Sequence, residues 1–266
     1  MAQNNPYRAI WMSDLHLGTR GCKAEALLDF LRGHSAERLY LVGDIVDGWN
    51  LGSAWFWSPA QNAVVRELRK WGRRGVEIWF LPGNHDAANV ALVRRLLGPI
   101  ASADQLIHRT AEGRRMLVAH GHQFDNSLNT AHWLPMMGSR AYTLALRINE
   151  WYLGEGPRTA PRFLKARVRR TVRNALRHLT DVNQPQFKRA VIHAVSVHRA
   201  DGIICGHIHW PQHARLGQIL YVNDGDWVHS CTAVVEDPGG ALRLVNGRQE
   251  NCERAQHMRP LAVAGA

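Results

Sequence analysis

Short apolar runs of strand length recur along this chain, and five of them end on a compact polar cluster. Residues 9–12 run into Asp14-Leu15-His16, 39–42 into Gly43-Asp44, and 76–81 into Gly83-Asn84-His85-Asp86. Later, 116–119 precede His120-Gly121 and 202–205 precede Gly206-His207-Ile208-His209. Between and just after the first three runs, apolar residues spaced by three and four predict helices over about 22–33, 59–71 and 89–97. A further short strand is expected at 105–108 and a helix at 185–199. Short strands then end near Leu216, Val222, Val235 and Val245, with an irregular tail beyond 247. Strand and helix alternate at the front, and strands follow one another at the back. That order predicts a mixed α/β fold, parallel first and largely antiparallel later, with every polar cluster at a strand end. An open α/β sheet places its binding crevice there.

Residues 126–182 break the pattern. Their periodicity is helical, and the first half is crowded with Trp133, Leu134, Met136, Met137, Tyr142, Leu144, Trp151 and Tyr152. The second half carries Arg158, Arg162, Lys165, Arg167, Arg169, Arg170, Arg173 and Arg177 without an Asp or Glu between 157 and 179. Leu164, Val168, Val172, Leu176 and Leu179 add an apolar stripe to that cationic helix. Such a helix either lies on anionic lipid headgroups or packs its stripe on the domain.

At 266 residues and 45% hydrophobic content, the chain can bury a large core without crosslinks. Its four cysteines, Cys22, Cys205, Cys231 and Cys252, are scattered and form no paired motif, as expected of thiols in a reducing compartment. A formal charge of +11 points to a polyanionic partner, either an anionic membrane surface or nucleic acid. Residues 1–7 are short and polar, and no apolar run nears the ~20 residues that span a bilayer. The expectation is a cytoplasmic protein, soluble or peripheral on the membrane's inner face.

The clusters hold the residue types a pair of divalent cations needs. Two ions roughly 3.5–4 Å apart share a bridging carboxylate and fill their spheres with oxygen and imidazole ligands. Asp44 is the natural bridge. Asp14 and His16, two apart in extended chain, point to one side and suit one ion. Asn84, His120 and one of His207 and His209 suit the other, with the remaining imidazole returning to the first. His85 is placed to stabilise or protonate a leaving oxygen. Asp86 would orient its ring or, alternatively, cap the helix over 89–97. Oxygen and imidazole ligands without thiolate favour Mn²⁺, Fe²⁺ or Zn²⁺, Mn²⁺ being the first choice. The histidines outside these clusters, among them His34, His108, His193 and His198, read as surface or structural.

Taken in order, Asp-x-His, Gly-Asp, Gly-Asn-His-Asp, His-Gly and Gly-His-x-His resemble the signature of the calcineurin-like metallophosphoesterases. The resemblance implies a four-layer αββα sandwich in one domain. It also implies a first metal on Asp14, His16, Asp44 and His209, and a second on Asp44, Asn84, His120 and His207. Residues 43–49, the helical insertion at 126–182 and Asp181-Val182-Asn183-Gln184 are similar to the UDP-2,3-diacylglucosamine hydrolases of lipid A synthesis. That likeness implies a lid that cradles acyl chains over the metals. The implied reaction cleaves the diphosphate of a nucleotide-linked lipid to UMP and diacylglucosamine 1-phosphate. Two positions depart from that pattern: His85 stands where those enzymes carry Arg, and His122 where Asp is common. Alternatives are a paralogue acting on another phosphoester, a nuclease, and a metal-binding scaffold without activity.

Overall fold

The computed structural model describes residues 6–48, 55–124 and 185–248. Residues 1–122 with 192–266 form one compact unit and 123–191 a second. Every candidate site residue belongs to the first. The expected lid over 126–182 lies outside the described residues, as does nearly all of the tail beyond 247.

The described elements run β1 (Tyr7–Met12), α1 (Ala24–Gly33), β2 (Ala36–Val42), α2 (Pro59–Arg73), β3 (Glu77–Leu81) and α3 (Val90–Leu97). There follow β4 (Ala101–Ser102), β5 (Gln105–Arg109), β6 (Arg115–Ala119), α4 (Pro185–Val197) and β7 (Gly202–Cys205). The last described elements are β8 (Gln212–Leu216), β9 (Ile219–Asn223), β10 (Thr232–Glu236) and β11 (Leu242–Asn246). One sheet has the order β11-β10-β1-β2-β3-β4, and a second has β5-β6-β7-β9-β8. β1, β2 and β3 pair in parallel, while β10 joins β1 antiparallel, so the switch from front to back of the chain occurs inside one sheet.

The alternation of side chains along the strands builds two cores from one sheet. Ile10, Met12, Leu39, Leu41, Ile78 and Phe80 face α1, α2 and α3, joining Leu27, Phe30, Val64, Leu68 and Trp71. Their neighbours Ala9, Trp11, Tyr40, Val42 and Leu81 face the second sheet and meet Met116, Val118, Ile204 and Val222. Both faces are covered, which is why β1 and β2 read as continuous apolar runs rather than alternating ones. Ser58 starts α2 by accepting from Gln61 N at 3.1 Å, with Pro59 preset in the first turn.

A polar tie crosses between the sheets. Tyr40 Oη lies 2.9 Å from His108 Nδ1, and His108 Nε2 lies 2.7 Å from Glu236. The other Glu236 oxygen accepts from Arg8 and from Ala111 N. His108, outside the polar clusters, is structural. Strand β4 was not foreshadowed, because its two residues pair with Trp79 and Phe80 through backbone alone. Helix α3 begins at Val90, after a 3₁₀ turn over Ala87–Asn89. Cys22, Cys205 and Cys231 are buried free thiols.

Candidate metal centre

The polar clusters converge from both sheets. Asp14, Asp44 and Asn84 follow β1, β2 and β3, while His120, His207 and His209 follow β6 and β7. Asp14, His16, Asp44, His207 and His209 all adopt left-handed backbone, with φ of 53°, 47°, 54°, 69° and 52°. Asp and His tolerate this region better than most side chains, and such strain persists only where surrounding structure enforces it. Loop-to-loop hydrogen bonds do so here. Asp14 N donates to Gly43 O and His16 N to Asp44 O, each at 3.0 Å. Asp47 N donates to Leu17 O at 2.9 Å and Gly48 N to His85 O at 3.1 Å. His85 N donates to Asp44 Oδ1 at 2.9 Å. At Gly83 any Cβ would strike the Asp44 carboxylate, so glycine admits the bridge candidate to the turn.

The facing atoms are metal donors. His209 Nε2 lies 3.1 Å from Asp14 Oδ1, and His16 Nε2 lies 3.7 Å from the same oxygen and 4.0 Å from Asp44 Oδ2. His120 Nε2 stands 3.5 Å from Asp44 Oδ2. Asp14 Oδ1, His16 Nε2, Asn84 Oδ1 and His120 Nε2 are all buried without a hydrogen-bond partner. Leaving four such atoms unpaired costs free energy that a shared cation would recover. The donor set therefore fits divalent ions. The Asp14, His16 and His209 donors lie within 4.8 Å of one another, as do those of Asp14, Asp44 and His120. The ring of His207 lies 5.2 Å from that of His120.

Four of the imidazoles have a polar group facing Nδ1 from behind. His120 Nδ1 lies 2.7 Å from Val42 O, which assigns its proton to Nδ1 and leaves Nε2 as the ligand. His209 Nδ1 faces Asp226 Oδ2 at 3.8 Å, and His16 Nδ1 faces Asp47 Oδ2 at 3.6 Å. The other Asp47 oxygen lies 3.2 Å from His85 Nδ1, while His85 Nε2 points into the cleft 3.8 Å from Asp44 Oδ2.

Two sequence readings of Asp86 are corrected. Its Oδ1 accepts from Gly83 N at 2.6 Å and its Oδ2 from Ile45 N at 2.7 Å, so it clamps the second and third loops together. It makes no side-chain cap to the turn that follows. The partner of the His85 ring is Asp47. Asp47 and Asp226 were not singled out from sequence. Asp47 sits in the 43–49 stretch three residues after Asp44, the only signal available.

The electrostatics follow from close packing of acids and imidazoles. Burial opposes the charge on Asp44, yet His120 and His16 hold its carboxyl below the usual range. Burial likewise opposes the imidazolium of His120, yet Asp44 raises it to about 10. Burial, with His120 and His207 adding repulsion, pushes His122 down to about 4.

Two sheets whose strand ends gather carboxylate, amide and imidazole donors define a metal-dependent hydrolase. The family model for calcineurin-like phosphoesterases matches residues 7–211, and the chain belongs to that family. The chain is 39% identical over 80 residues to a UDP-2,3-diacylglucosamine hydrolase from Cellvibrio japonicus, covering 29% of this chain and 32% of that one. It is 38% identical over 82 residues to the protein of that name from Neisseria meningitidis serogroup A, covering 29% and 33%. The chain thus aligns with about a third of the length of these curated relatives. Among solved structures, the E. coli phosphoesterase Yfce aligns over 90% of this chain and 98% of its own, at 17% identity and a TM-score of 0.45.

Proposed function

We propose that the chain is a dinuclear phosphohydrolase, with Asp14, His16, Asp44 and His209 holding one divalent ion and Asp44, Asn84, His120 and His207 the other. The observation that carries this reading is the set of four buried, partnerless donor atoms turned into one cleft. When bound, the ions activate a water at neutral pH and neutralise phosphoryl oxygens. The protein's own part is positional. Asp44 offers both loops a shared carboxylate, and the contacts of His120 Nδ1 with Val42 O and of His16 Nδ1 with Asp47 turn their Nε2 atoms to the cleft. His85 Nε2, backed by Asp47, is placed to donate a proton to the leaving oxygen.

For the substrate, we favour the diphosphate of UDP-2,3-diacylglucosamine, cleaved to UMP and diacylglucosamine 1-phosphate. The names of the aligned relatives support it, as do the apolar and then cationic halves of residues 126–182. Manganese is the preferred ion, and the setting is the cytoplasmic face of a membrane, approached peripherally. No helix among the described residues is long and apolar enough to cross a bilayer.

A second reading, a paralogue for another phosphoester, is favoured by His85. An imidazole offers a diphosphate one donor where a guanidinium offers a bidentate clamp. The test follows UMP release from UDP-2,3-diacylglucosamine, and nitrophenol release from bis-nitrophenyl phosphate, with and without Mn²⁺. Turnover of the nitrophenyl ester alone would shift the assignment to the paralogue. A lack of any metal-dependent hydrolysis would overturn the enzyme reading. Cleavage of nucleic acid that collapses with salt would point to a nuclease.

A further inference from the structure

Behind Asp14 lies a second acid outside the metal set. Ser13 Oγ is 2.5 Å from Asp14 Oδ2 and 2.6 Å from Asp224 Oδ1, with Gly225 O at 3.3 Å. All three side chains are buried, Asp224 completely. A serine hydroxyl has one proton to give. It cannot donate to two carboxylates at once, so two bonds this short need one more proton in the chain.

The surroundings say which acid carries it. Asp14 faces His209 and His16 and turns Oδ1 into the metal cleft. Asp224 has no cationic partner in any ion pair among the described residues, and its Oδ2 is buried without a hydrogen bond. A bare carboxylate oxygen there would cost far more than the carbonyl oxygen of a neutral acid. Burial also pushes the Asp224 carboxyl well above its ordinary range, with Asp14 adding to the effect.

We propose that Ser13 and Asp224 are a positioning pair for Asp14, with Asp224 present as a neutral carboxylic acid. Asp224 Oδ1–H donates to Ser13 Oγ, whose own proton goes to Asp14 Oδ2. His207 N donates to that same oxygen at 3.0 Å, so two donors fix the carboxylate and reserve Oδ1 for the ion. The chain threads the contact between loops where Gly206 stands. A Cβ there would strike Ser13 Oγ, and the Asp14 carboxylate lies just beyond. This role rests on the dinuclear reading above.

The test combines metal affinity with a spectroscopic signature. In Mn²⁺ titration calorimetry, Ser13→Ala, which removes a single oxygen, should weaken binding roughly 10- to 100-fold. Asp224→Asn, whose amide N–H replaces the acid proton, should stay within about threefold. In metal-free wild type at pH 8, an infrared band of a protonated carboxyl should be present and should vanish in Asp224→Asn. The band decides the protonation even if Ser13→Ala fails to fold. Unchanged affinity in Ser13→Ala, a missing band, or an Asp224→Asn as weak as Ser13→Ala would each overturn the pair. Wild type that binds no divalent ion would overturn the dinuclear reading and this role together.

Discussion

Asp47 Oδ1 stands 3.2 Å from Nδ1 of His85, and the second oxygen of the same carboxylate faces Nδ1 of His16 at 3.6 Å. One buried acid therefore faces both His16, a ligand in the proposed centre, and His85, its proposed proton donor. Its backbone is bolted to both loops through Leu17 O and, at the next residue, His85 O. If His85 supplies the proton, His85→Ala should slow alkyl phosphodiesters by about 10²–10⁴-fold and activated nitrophenyl esters far less. Equal losses on both ester types would leave His85 a purely electrostatic role. Asp47→Ala should reproduce that selectivity and, unlike His85→Ala, also weaken metal binding through His16.

Removing the bridge should cost more than any other single change. Asp44 Oδ2 approaches His16, His85 and His120, and Oδ1 holds His85 N. Asp44→Ala should lose both ions and nearly all hydrolysis while the two cores stay intact. Metal stoichiometry of the purified variant, read beside its circular dichroism, checks this. Two ions retained would end the bridging role.

Asp86 should behave as a clamp rather than an acid. Asp86→Ala strands the buried N–H groups of Gly83 and Ile45, each costing about 1–3 kcal/mol. Its loss should appear first as a lower melting temperature, with activity following as the loops loosen. Asp86→Asn keeps one acceptor and should fall between the two. A variant as stable as wild type would contradict the two bonds seen here.

Protons and ions should compete for His120. In metal-free protein its imidazolium persists to about 10 beside Asp44, against an unfolded value near 6.5. A raised imidazolium stabilises the fold fully below the unfolded value and loses that contribution as pH climbs from about 6.5 toward 10. Metal-free protein should thus melt at lower temperature across that window. Binding an ion must expel the proton, so Mn²⁺ affinity should tighten as pH rises over the same range. Calorimetry in buffers of differing ionisation enthalpy counts the protons released.

One prediction rests on sequence alone. Neutralising Arg167, Arg169, Arg170 and Arg173 should weaken binding to anionic vesicles by about 1 kcal/mol per charge, with wild-type binding fading as salt rises. Hydrolysis of a water-soluble phosphodiester should survive. Vesicle binding equal to wild type would rule out a membrane role for these arginines.

What sequence made legible was the set of residues whose chemistry is grouped at strand ends: Asp14 with His16, Asn84 with His85, His207 with His209. Residues that leave the same strand end toward one cleft keep a short spacing in the chain, even where, as with His207 and His209, they are assigned to different ions. Asp224 and Asp226 leave no such trace, because each reaches its partner, Ser13 or His209, across loops, and Asp47 leaves only its place in the 43–49 stretch. Asp86 misled for the opposite reason. Its place beside His85 suggested a partnership that the turn geometry sends elsewhere, toward Ile45 N. The strands were visible by their apolar content, but the two residues of β4 pair by backbone and carry no pattern.

The donors of the cleft come from two sheets, β1 to β3 in one and β6 and β7 in the other, which also meet through side-chain packing, the Tyr40–His108–Glu236 tie and loop contacts such as His120 Nδ1 with Val42 O. An ion held by Asp44 and His120 is then a rivet through both plates. At a hundred times its dissociation constant, such a ligand adds about 2.7 kcal/mol to folding. Chelation should therefore loosen the seam between the sheets before it melts either one, and amide exchange along β6 and β7 would record that slackening.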